Sequence, residues 1–337
     1  MTGRLLGVDV GNSKTHIAVA EPSGRVTAAA EGPGVMGGFG SPDALLGLVR
    51  DRLAALGLPT SGYAAATFAV AGLDLPEQDA AYEEVVRSSA IADRLVVLND
   101  VFALMRTDPS GGDGVAVVCG AGINAVGVRG GTHVRFHSIG EVSGDWGGGG
   151  DVGRAALFAA CRSEDGRGEP TALAEGIARH FGVDRALAVT EGIMLGRIAA
   201  HRVVELAPLV LHSAAAGDAV AGRIVDRLAD EVVLFVEAAR GRLGWPDEEI
   251  LPVLLGGGLL QSGDERLLGR IRSTLGDGVS SHVSVADVPP VIGSVLLARD
   301  LIADSERTAH SDVAGWEGPD SMAHSFRTQL DLGGRTK

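Results

Sequence analysis

A strand–turn–strand unit that occurs twice is the feature that most constrains how this chain can fold. In the first copy, the turn 11–14 separates the apolar run 4–10 from a second extended run at 15–21. In the second copy, the glycine turn 120–122 follows the apolar run 114–119 and leads into another extended run. Short connections between extended runs predict antiparallel hairpins. The pair forms a weak internal repeat, and we therefore expect two structural units that begin near residues 5 and 114.

Between and after these units, apolar strand patterns alternate with helical patterns. Helical spacing begins after Ser41, a predicted N-cap, with Pro42 at the first helical position. Further buried strands are predicted at 65–70, 95–98, 250–255 and 283–285, and further helices at 77–89, 264–275 and 291–302. This alternation predicts an α/β fold with mostly parallel sheets, which bind ligands at the carboxyl ends of their strands. Residues at those ends should converge on one cleft between two domains. They are Asp9, Asp100, Gly120 and Gly256.

The 337 residues suffice for two domains with sizeable cores. We expect an N-terminal domain over 1–113 and a C-terminal domain with a helical insertion over 114–288. A C-terminal helix at 289–303 is expected to pack back on the N-terminal domain. Residues 304–337 are polar without periodicity, and we expect this tail to be disordered.

Composition excludes several classes of protein. Acidic residues outnumber basic ones by 43 to 29, and the resulting net charge of −14 argues against a general nucleic-acid binder. No run approaches the ~18 uncharged apolar residues of a membrane span, and no secretory leader is visible. Two cysteines are too few for a disulfide scaffold, so a reducing cytoplasm is the expected location.

The first glycine turn carries groups that suit phosphate. Residues 7–15 have the sequence GVDVGNSKT. Small residues in a tight turn bring backbone N–H groups close to an anion, and Asp9 at the strand end can hold a metal ion through water. The alternative is an ordinary hairpin turn, because a strand follows and the P-loop pattern is absent. The candidate phosphate ligands are Gly11, Asn12, Ser13, Lys14 and Thr15.

Asn99 and Asp100 close a short apolar strand. A carboxylate in this position suits a general base that takes a proton from a hydroxyl group. Phosphoryl transfer needs little more from a protein than such a base, a metal ion and donors for the phosphates. Either residue could instead cap the helix that begins near Val101, and the segment alone favours the cap. Both roles are compatible, since a cap fixes a side chain in place.

Two more glycine turns follow strands in the second unit. The turn 120–122 repeats the first glycine turn and could approach a polyphosphate, while Asn124 could bond to a sugar hydroxyl or acyl group. Glycines after the strand 250–255 would let a flat purine lie against backbone. A plain hairpin and a strand-to-helix turn are equally good interpretations of these segments. The candidate nucleotide contacts are Gly120, Ala121, Gly122, Gly256, Gly257 and Gly258.

The segment 140–153 has the sequence GEVSGDWGGGGDVG. Four consecutive glycines indicate a loop that moves or approaches a ligand closely. Gly144 and Asp145 are candidate sugar contacts, since a carboxylate accepts hydrogen bonds from hydroxyl groups. Trp146 could stack on a sugar face, or it could be a core or hinge anchor.

Taken in order, these segments resemble the motifs of the actin-like ATPase superfamily of sugar kinases. More narrowly, residues 4–303 are similar to N-acetylglucosamine kinases of the BadF/BadG/BcrA/BcrD-type ATPase family. The first phosphate motif of that family, G-x-D-x-G-x-[ST]-K-T, matches 7–15, and its catalytic aspartate matches Asp100. Its adenosine motif matches 256–258, and its last helix resembles 290–298.

The sequence departs from the family's motifs at four positions. Ala121 and Ile123 stand where the second phosphate motif commonly has Thr and Ser. Trp146 replaces the glutamate of the loop motif, and Val35 stands where the family often has an asparagine near the sugar's acyl group.

The resemblance implies two actin-like (ribonuclease H-like) domains with a ligand cleft between them. It also implies transfer of the γ-phosphoryl group of ATP to an amino sugar, first of all O6 of N-acetylglucosamine. Asp100 would accept the proton and Mg²⁺ would sit near Asp9. Asn99, Asn124 and the loop 144–146 would contact the sugar, and a homodimer without nucleic-acid or membrane partners is expected.

Four other hypotheses are open. The first is a kinase for glucosamine or another hexose, and the second is a catalytically silent sugar sensor. The third is a non-sugar ATPase that activates a dehydratase through an iron–sulfur cluster between subunits. It is disfavoured because Cys119 and Cys161 fall in a predicted buried strand and a helix. The fourth is a sugar-responsive repressor of the ROK type.

Overall fold

The computed structural model describes residues 3–34, 41–108, 112–306 and 319–334. Its framework is a pair of five-stranded mixed sheets. The strands of the first sheet are β1 (Leu5–Val10), β2 (Lys14–Ala20), β3 (Val26–Pro33), β4 (Tyr63–Val70) and β5 (Ala92–Asn99). They follow the order β3-β2-β1-β4-β5. The β1–β2 and β2–β3 pairs are antiparallel hairpins, whereas β1, β4 and β5 run parallel.

The second sheet repeats this arrangement. Its strands are β6 (Gly114–Cys119), β7 (Ile123–Arg129), β8 (Thr132–Arg135), β9 (Leu251–Gly256) and β10 (Ser281–Val285). They follow the order β10-β9-β6-β7-β8, again with two antiparallel hairpin pairs and a parallel remainder. Each strand of the first sheet thus has a counterpart in the second. The predicted α/β fold of two similar actin-like units is confirmed.

Helices cover both sheets. They are α1 (Pro42–Ala55), α2 (Pro76–Ser88), α3 (Asp100–Arg106), α4 (Gly148–Glu164), α5 (Leu173–Phe181), α6 (Ala186–Met194), α7 (Ala207–Ala215), α8 (Ala219–Arg242), α9 (Glu265–Leu275), α10 (Pro290–Glu306) and α11 (Pro319–Gly334). Ser41 caps α1 as predicted, because its hydroxyl accepts a hydrogen bond from the Ala44 N–H. In the described ranges no individual helix is long and apolar enough to cross a membrane. One pair bent by 114°, 200–215 with α8, reaches that length only together.

Helix α10 follows the second sheet in the chain but lies on the first. The Ser294 hydroxyl donates to the Val8 carbonyl of β1 at 3.1 Å. At Gly293 the backbone of α10 touches α3, since a Cβ atom there would lie 1.7 Å from the Ala103 carbonyl oxygen. A side chain at this position would therefore force the two helices apart.

The C-terminal segment corrects the prediction of a disordered tail. Residues 319–334 form α11, although 307–318 and 335–337 lie outside the described residues. Met322, Ala323 and Phe326 are at most 2% exposed and pack with α10 on the first sheet. Their spacing, continued by Leu330, is a helical apolar stripe that polar neighbours obscure.

Candidate active site

A cavity of about 490 Å³ lies where the two glycine turns meet. The β1–β2 turn, the start of α3, the β6–β7 turn and the segments that follow β9 and β10 form its walls. The predicted site residues that line it are Asp9, Gly11, Asn12, Ser13, Lys14, Asp100, Gly120, Ala121, Gly257 and Gly258. The polar lining residues that were not predicted are His16, Gln261 and Asp287.

The first glycine turn is closed by a 2.9 Å hydrogen bond from the Gly11 N–H to the Lys14 carbonyl. Behind it, the Gly34 N–H donates to the Ser13 carbonyl at 3.2 Å. A Cβ atom at Gly34 would lie 2.4 Å from the Asn12 carbonyl oxygen. The chain after β3 therefore supports this turn through backbone contact, which only glycine permits. The next residue, at position 35, lies outside the described residues.

Lys14 and Thr15 differ in their availability to a ligand. The Lys14 ammonium lies 3.9 Å from the Glu31 carboxylate, and both side chains are at least half exposed. Such an ion pair is weak and leaves the ammonium group free to turn toward a phosphate. Thr15 is a correction to the predicted ligand set. Its buried hydroxyl donates to the Pro33 carbonyl at 2.8 Å and faces β3 instead of the cavity.

Helix α4 begins directly against the second glycine turn. The N–H groups of Gly149 and Gly150 donate to the carbonyls of Gly120 and Ala121, at 2.7 and 2.9 Å. A Cβ atom on Gly148 would lie 2.4 Å from the backbone of the same turn. The prediction of a loop is therefore wrong for Gly148, Gly149 and Gly150. They form the first turn of a helix whose backbone touches another backbone.

The structure distinguishes Asn99 from Asp100, which the sequence left as alternative caps of the same helix. Asn99 is the N-cap of α3, because its Oδ1 accepts from the Val101 N–H at 3.1 Å. Asp100 is the first residue of the helix and lines the cavity. The cap thus fixes the start of α3 and leaves the Asp100 carboxylate facing the cavity.

Two carboxyl groups that line the cavity, those of Asp9 and Asp100, have raised pKa values. Burial, and secondly the charge of Asp74, raises the pKa of Asp100 from 3.8 to about 7. Burial, and secondly the charge of Asp100, raises the pKa of Asp9 to about 8, although Lys14 opposes this. Both groups therefore change charge close to neutral pH, where a general base works best.

Asp74, which follows β4, was missed by the sequence analysis. Its Oδ1 accepts from the side-chain amides of Asn99 and Asn124 at 3.0 and 3.1 Å. The Asn124 Oδ1 in turn accepts from the Ser138 hydroxyl at 2.6 Å. Burial raises the pKa of Asp74 to about 6, against the charge of Arg135. A signal was available, since β4 runs parallel between two strands that carry predicted site residues at the same end.

The loop before α4 contributes one polar group to this neighbourhood. Asp145 is buried, accepts from the Ser143 hydroxyl, and its charge raises the pKa of Asp74. Of the two interpretations of Trp146, the structure supports the core anchor, because the side chain belongs to the core of the second unit. It is 8% exposed, and the Arg227 guanidinium lies 4.0 Å from its ring centre.

The remaining predicted glycines have different surroundings. Gly144 has a φ of 85° and no atom within 4 Å of a Cβ position, so it serves the turn. Gly256 is a correction, since it ends β9 and faces the side chains of α3. Gly257, with a φ of 86°, approaches the Cys119 carbonyl, whereas Gly258 faces open space in the cavity.

A second cavity of about 770 Å³ adjoins the first. The two share Asn12 and Ala121, and Gly122 lines the second one. Its other walls come from α4 and the segment 200–204, which contribute Arg154 and His201. The two glycine turns thus stand between two connected spaces.

Asp9 lies in β1, two residues before the first glycine turn, and lines the cavity. In the part of the chain that the structure describes, no three His, Cys, Asp or Glu side chains are grouped to hold a metal ion. Mg²⁺ commonly takes one or two carboxylates and completes its shell with water and substrate phosphates. The Asp9 carboxylate on the cavity wall fits a metal ion that is bound together with a nucleotide.

Comparison with known protein families gives one match. The model of the BadF/BadG/BcrA/BcrD ATPase family matches residues 6–298. The chain belongs to this family. The resemblance predicted from the glycine turns and Asp100 is thereby confirmed at the level of the family.

The comparisons also give a relative of similar sequence and solved structures of similar fold. The chain is 26% identical over 258 residues to the N-acetylmuramic acid/N-acetylglucosamine kinase of Clostridium acetobutylicum, over 75% of this chain and 84% of that protein. A candidate N-acetylglucosamine kinase from Chromobacterium violaceum has a TM-score of 0.67 at 24% identity, over 88% of this chain and 99% of that one. A ROK family glucokinase from Streptomyces griseus, solved with glucose and AMPPNP, has a TM-score of 0.52 at 17% identity, over 88% and 100%. The two solved structures share the fold.

Proposed function

We propose that this protein is an ATP-dependent sugar kinase that phosphorylates an amino sugar. N-acetylglucosamine, phosphorylated on its 6-hydroxyl, is the first candidate. One observation carries the proposal: Asp100, at the start of the helix that Asn99 caps, faces a cavity lined by both glycine turns. The family and the kinase among its relatives support the reaction class.

Asp100 is the proposed general base. It would accept the proton of the sugar hydroxyl as that oxygen attacks the γ-phosphorus of ATP, and ADP would leave with the bridging oxygen. A pKa of about 7 means that a large fraction of the carboxylate is ionised at neutral pH and still basic enough to take the proton.

The two glycine turns are the proposed phosphate ligands. Backbone N–H groups of 11–14 and 120–122 would donate to phosphate oxygens, and Lys14 would add a positive charge. Asp9 would hold Mg²⁺ through water, and the metal ion would neutralise charge on the phosphates. We propose that the glycines Gly257 and Gly258 lie near the adenosine.

The cluster around Asp74 is the proposed sugar site. It offers the amides of Asn99 and Asn124 together with the carboxylates of Asp74 and Asp145, a mixture of donors and acceptors that suits hydroxyl and acylamino groups. No described residue donates a hydrogen bond to the Asp74 Oδ2, so this oxygen could accept one from a sugar hydroxyl.

An activator of a dehydratase fits less well. A cluster between subunits needs thiols at the surface, but Cys119 and Cys161 are both buried. Burial also raises the pKa of the Cys119 thiol to about 12, which disfavours the thiolate that a metal requires.

The test is release of ADP from Mg-ATP in the presence of single sugars. The panel is N-acetylglucosamine, N-acetylmuramic acid, N-acetylmannosamine, glucosamine and glucose. We expect N-acetylglucosamine to stimulate ADP release, and Asp100→Asn to lower that rate by ~10²–10⁴. Asp93→Asn, on the exposed start of β5, is the control. Stimulation by no sugar would favour a sensor or a non-sugar ATPase, and an active Asp100→Asn variant would refute the base assignment. Sedimentation of the same sample tests the expected homodimer.

A further inference from the structure

Helix α11 lies outside the residues that the family model matches, which end at 298. It nevertheless packs on the first sheet against β3 and α10. Two consecutive residues of this helix, Phe326 and Arg327, each contact a residue that lines the 490 Å³ cavity. The helix therefore reaches the walls of the proposed nucleotide site from outside the cavity.

Phe326 contacts the wall formed by β2. Its ring meets the imidazole of His16 edge to face, with 5.4 Å between centres and 79° between planes. The same imidazole lies 3.2 Å from the Glu31 carboxylate and 4.0 Å from the Asp9 carboxylate. Because His16 and Phe326 are 7% and 2% exposed, the packed Phe326 ring restricts the positions that the imidazole can take beside Asp9.

Arg327 contacts a different wall. Its guanidinium donates to the Asp287 carbonyl at 2.7 Å. Asp287 begins the segment 287–290, which lines the cavity and ends at the first residue of α10. One turn of α11 thus holds two walls of the same cavity: the strand that carries the first glycine turn, and the chain that leads into α10.

We propose that α11 is a positioning element for MgATP, acting through Phe326 on His16 and through Arg327 on 287–290. This inference rests on the proposed function, because it takes the cavity to be the nucleotide site. Neither side chain touches the cavity itself, so both act through the residues that they hold. The sugar cluster around Asp74 has no contact with these two residues among the described ones, and the effect should therefore be confined to the nucleotide.

The test compares Phe326→Ala, Phe326→Leu and Arg327→Ala with Thr328→Ala, an exposed neighbour on the same helix, as control. The readouts are the Kd for MgADP from calorimetry without sugar, the KM values for MgATP and for sugar, and the Tm. We expect Phe326→Ala and Arg327→Ala to raise the Kd and the MgATP KM by about 2- to 10-fold, with the sugar KM unchanged. Phe326→Leu should fall between wild type and Phe326→Ala, because it keeps apolar packing without the ring edge.

A lower Tm with unchanged MgADP affinity in both alanine variants would overturn the proposal and make α11 a purely structural element. An equal rise in the KM for sugar would also overturn it. The binding measurement separates this inference from the proposed function. A wild-type chain that binds MgADP but phosphorylates no sugar would refute the acceptor chemistry, while the Kd values would still decide the role of α11.

Discussion

Asn124 of β7 donates a hydrogen bond of 3.1 Å to Asp74, which follows β4, and so joins the two sheets across the cleft. The oxygen that accepts it also accepts from Asn99, the cap of α3. Arg135 of β8 adds a second connection through its 2.7 Å bond to the Leu73 carbonyl. The segment after β4 is therefore one place where polar contacts tie the second unit to the helix that begins with Asp100.

Asp74→Asn is expected to shift the pH dependence of the reaction. An asparagine oxygen can still accept from both amides, but the negative charge that raises the pKa of Asp100 is gone. The pKa of Asp100 should fall, so the acidic limb of the kcat profile should move to lower pH. The measurement is kcat from about pH 5 to about pH 9, a range that brackets carboxylates with raised pKa values, in this variant, Asp93→Asn and wild type. An acidic limb at unchanged pH would show that the charge of Asp74 does not affect the pKa of Asp100.

Asp100→Asn is expected to stabilise the fold above neutral pH while it removes activity. The unfolded carboxyl group loses its proton near pH 3.8 and the folded one near 7, so the native state binds more protons between these values. Stability of the wild type therefore falls as the pH rises from 3.8 to about 7 and then levels off. Asparagine avoids this loss. The Tm difference between variant and wild type should grow over that interval and stay constant above it. A difference independent of pH would contradict the buried, protonated state of Asp100.

Lys14→Ala and Lys14→Arg are expected to raise the KM for MgATP and leave the KM for sugar unchanged. Loss of a charged hydrogen bond to phosphate corresponds to about 10- to 100-fold in affinity. Arginine should not restore it fully, because a planar guanidinium does not replace a compact ammonium in a tight turn. Arg25→Ala is the matched control, since it removes an exposed cation that pairs with Glu21 between β2 and β3, outside the cavity lining. Equal KM values in all variants would make Lys14 an ordinary turn residue.

Two glycine substitutions test which glycines leave room for a ligand and which are packed against backbone. At Gly120 no atom lies within 4 Å of a Cβ position, so Gly120→Ala should keep the Tm and weaken MgADP binding. At Gly153 a Cβ atom would lie 1.8 Å from the Val203 carbonyl oxygen, so Gly153→Ala should lower the Tm by several degrees. Calorimetry and thermal unfolding of both variants give the answer. A large loss of Tm in Gly120→Ala would mean that this turn is packed against protein.

Local patterns predicted much of the framework. Ser41 and Pro42 marked the start of α1, and the apolar runs before Asp9 and Asp100 became β1 and β5. These features depend on neighbouring residues, which a sequence displays directly. The duplicated order of the sheets also followed from the repeated hairpins.

Features that depend on distant contacts were missed. Asp74 is held by a hydrogen bond from Asn124, which is 50 residues away, and no pattern in its own segment predicts that bond. The glycines 148–150 seemed suited to a ligand, but their neighbour is the backbone of the β6–β7 turn. Thr15 has a hydroxyl at the predicted position, yet β3 takes its hydrogen bond. In each case the deciding partner belongs to another element.

The matching order of the two sheets has a consequence for how tightly a nucleotide is held. One glycine turn belongs to each sheet, so a polyphosphate between the turns would be bound by both sheets at once. Any change that moves one sheet relative to the other alters both grips at once. Nucleotide affinity would then depend on how far the cleft is open. The MgADP affinities of a series of variants could report that opening without any label on the protein.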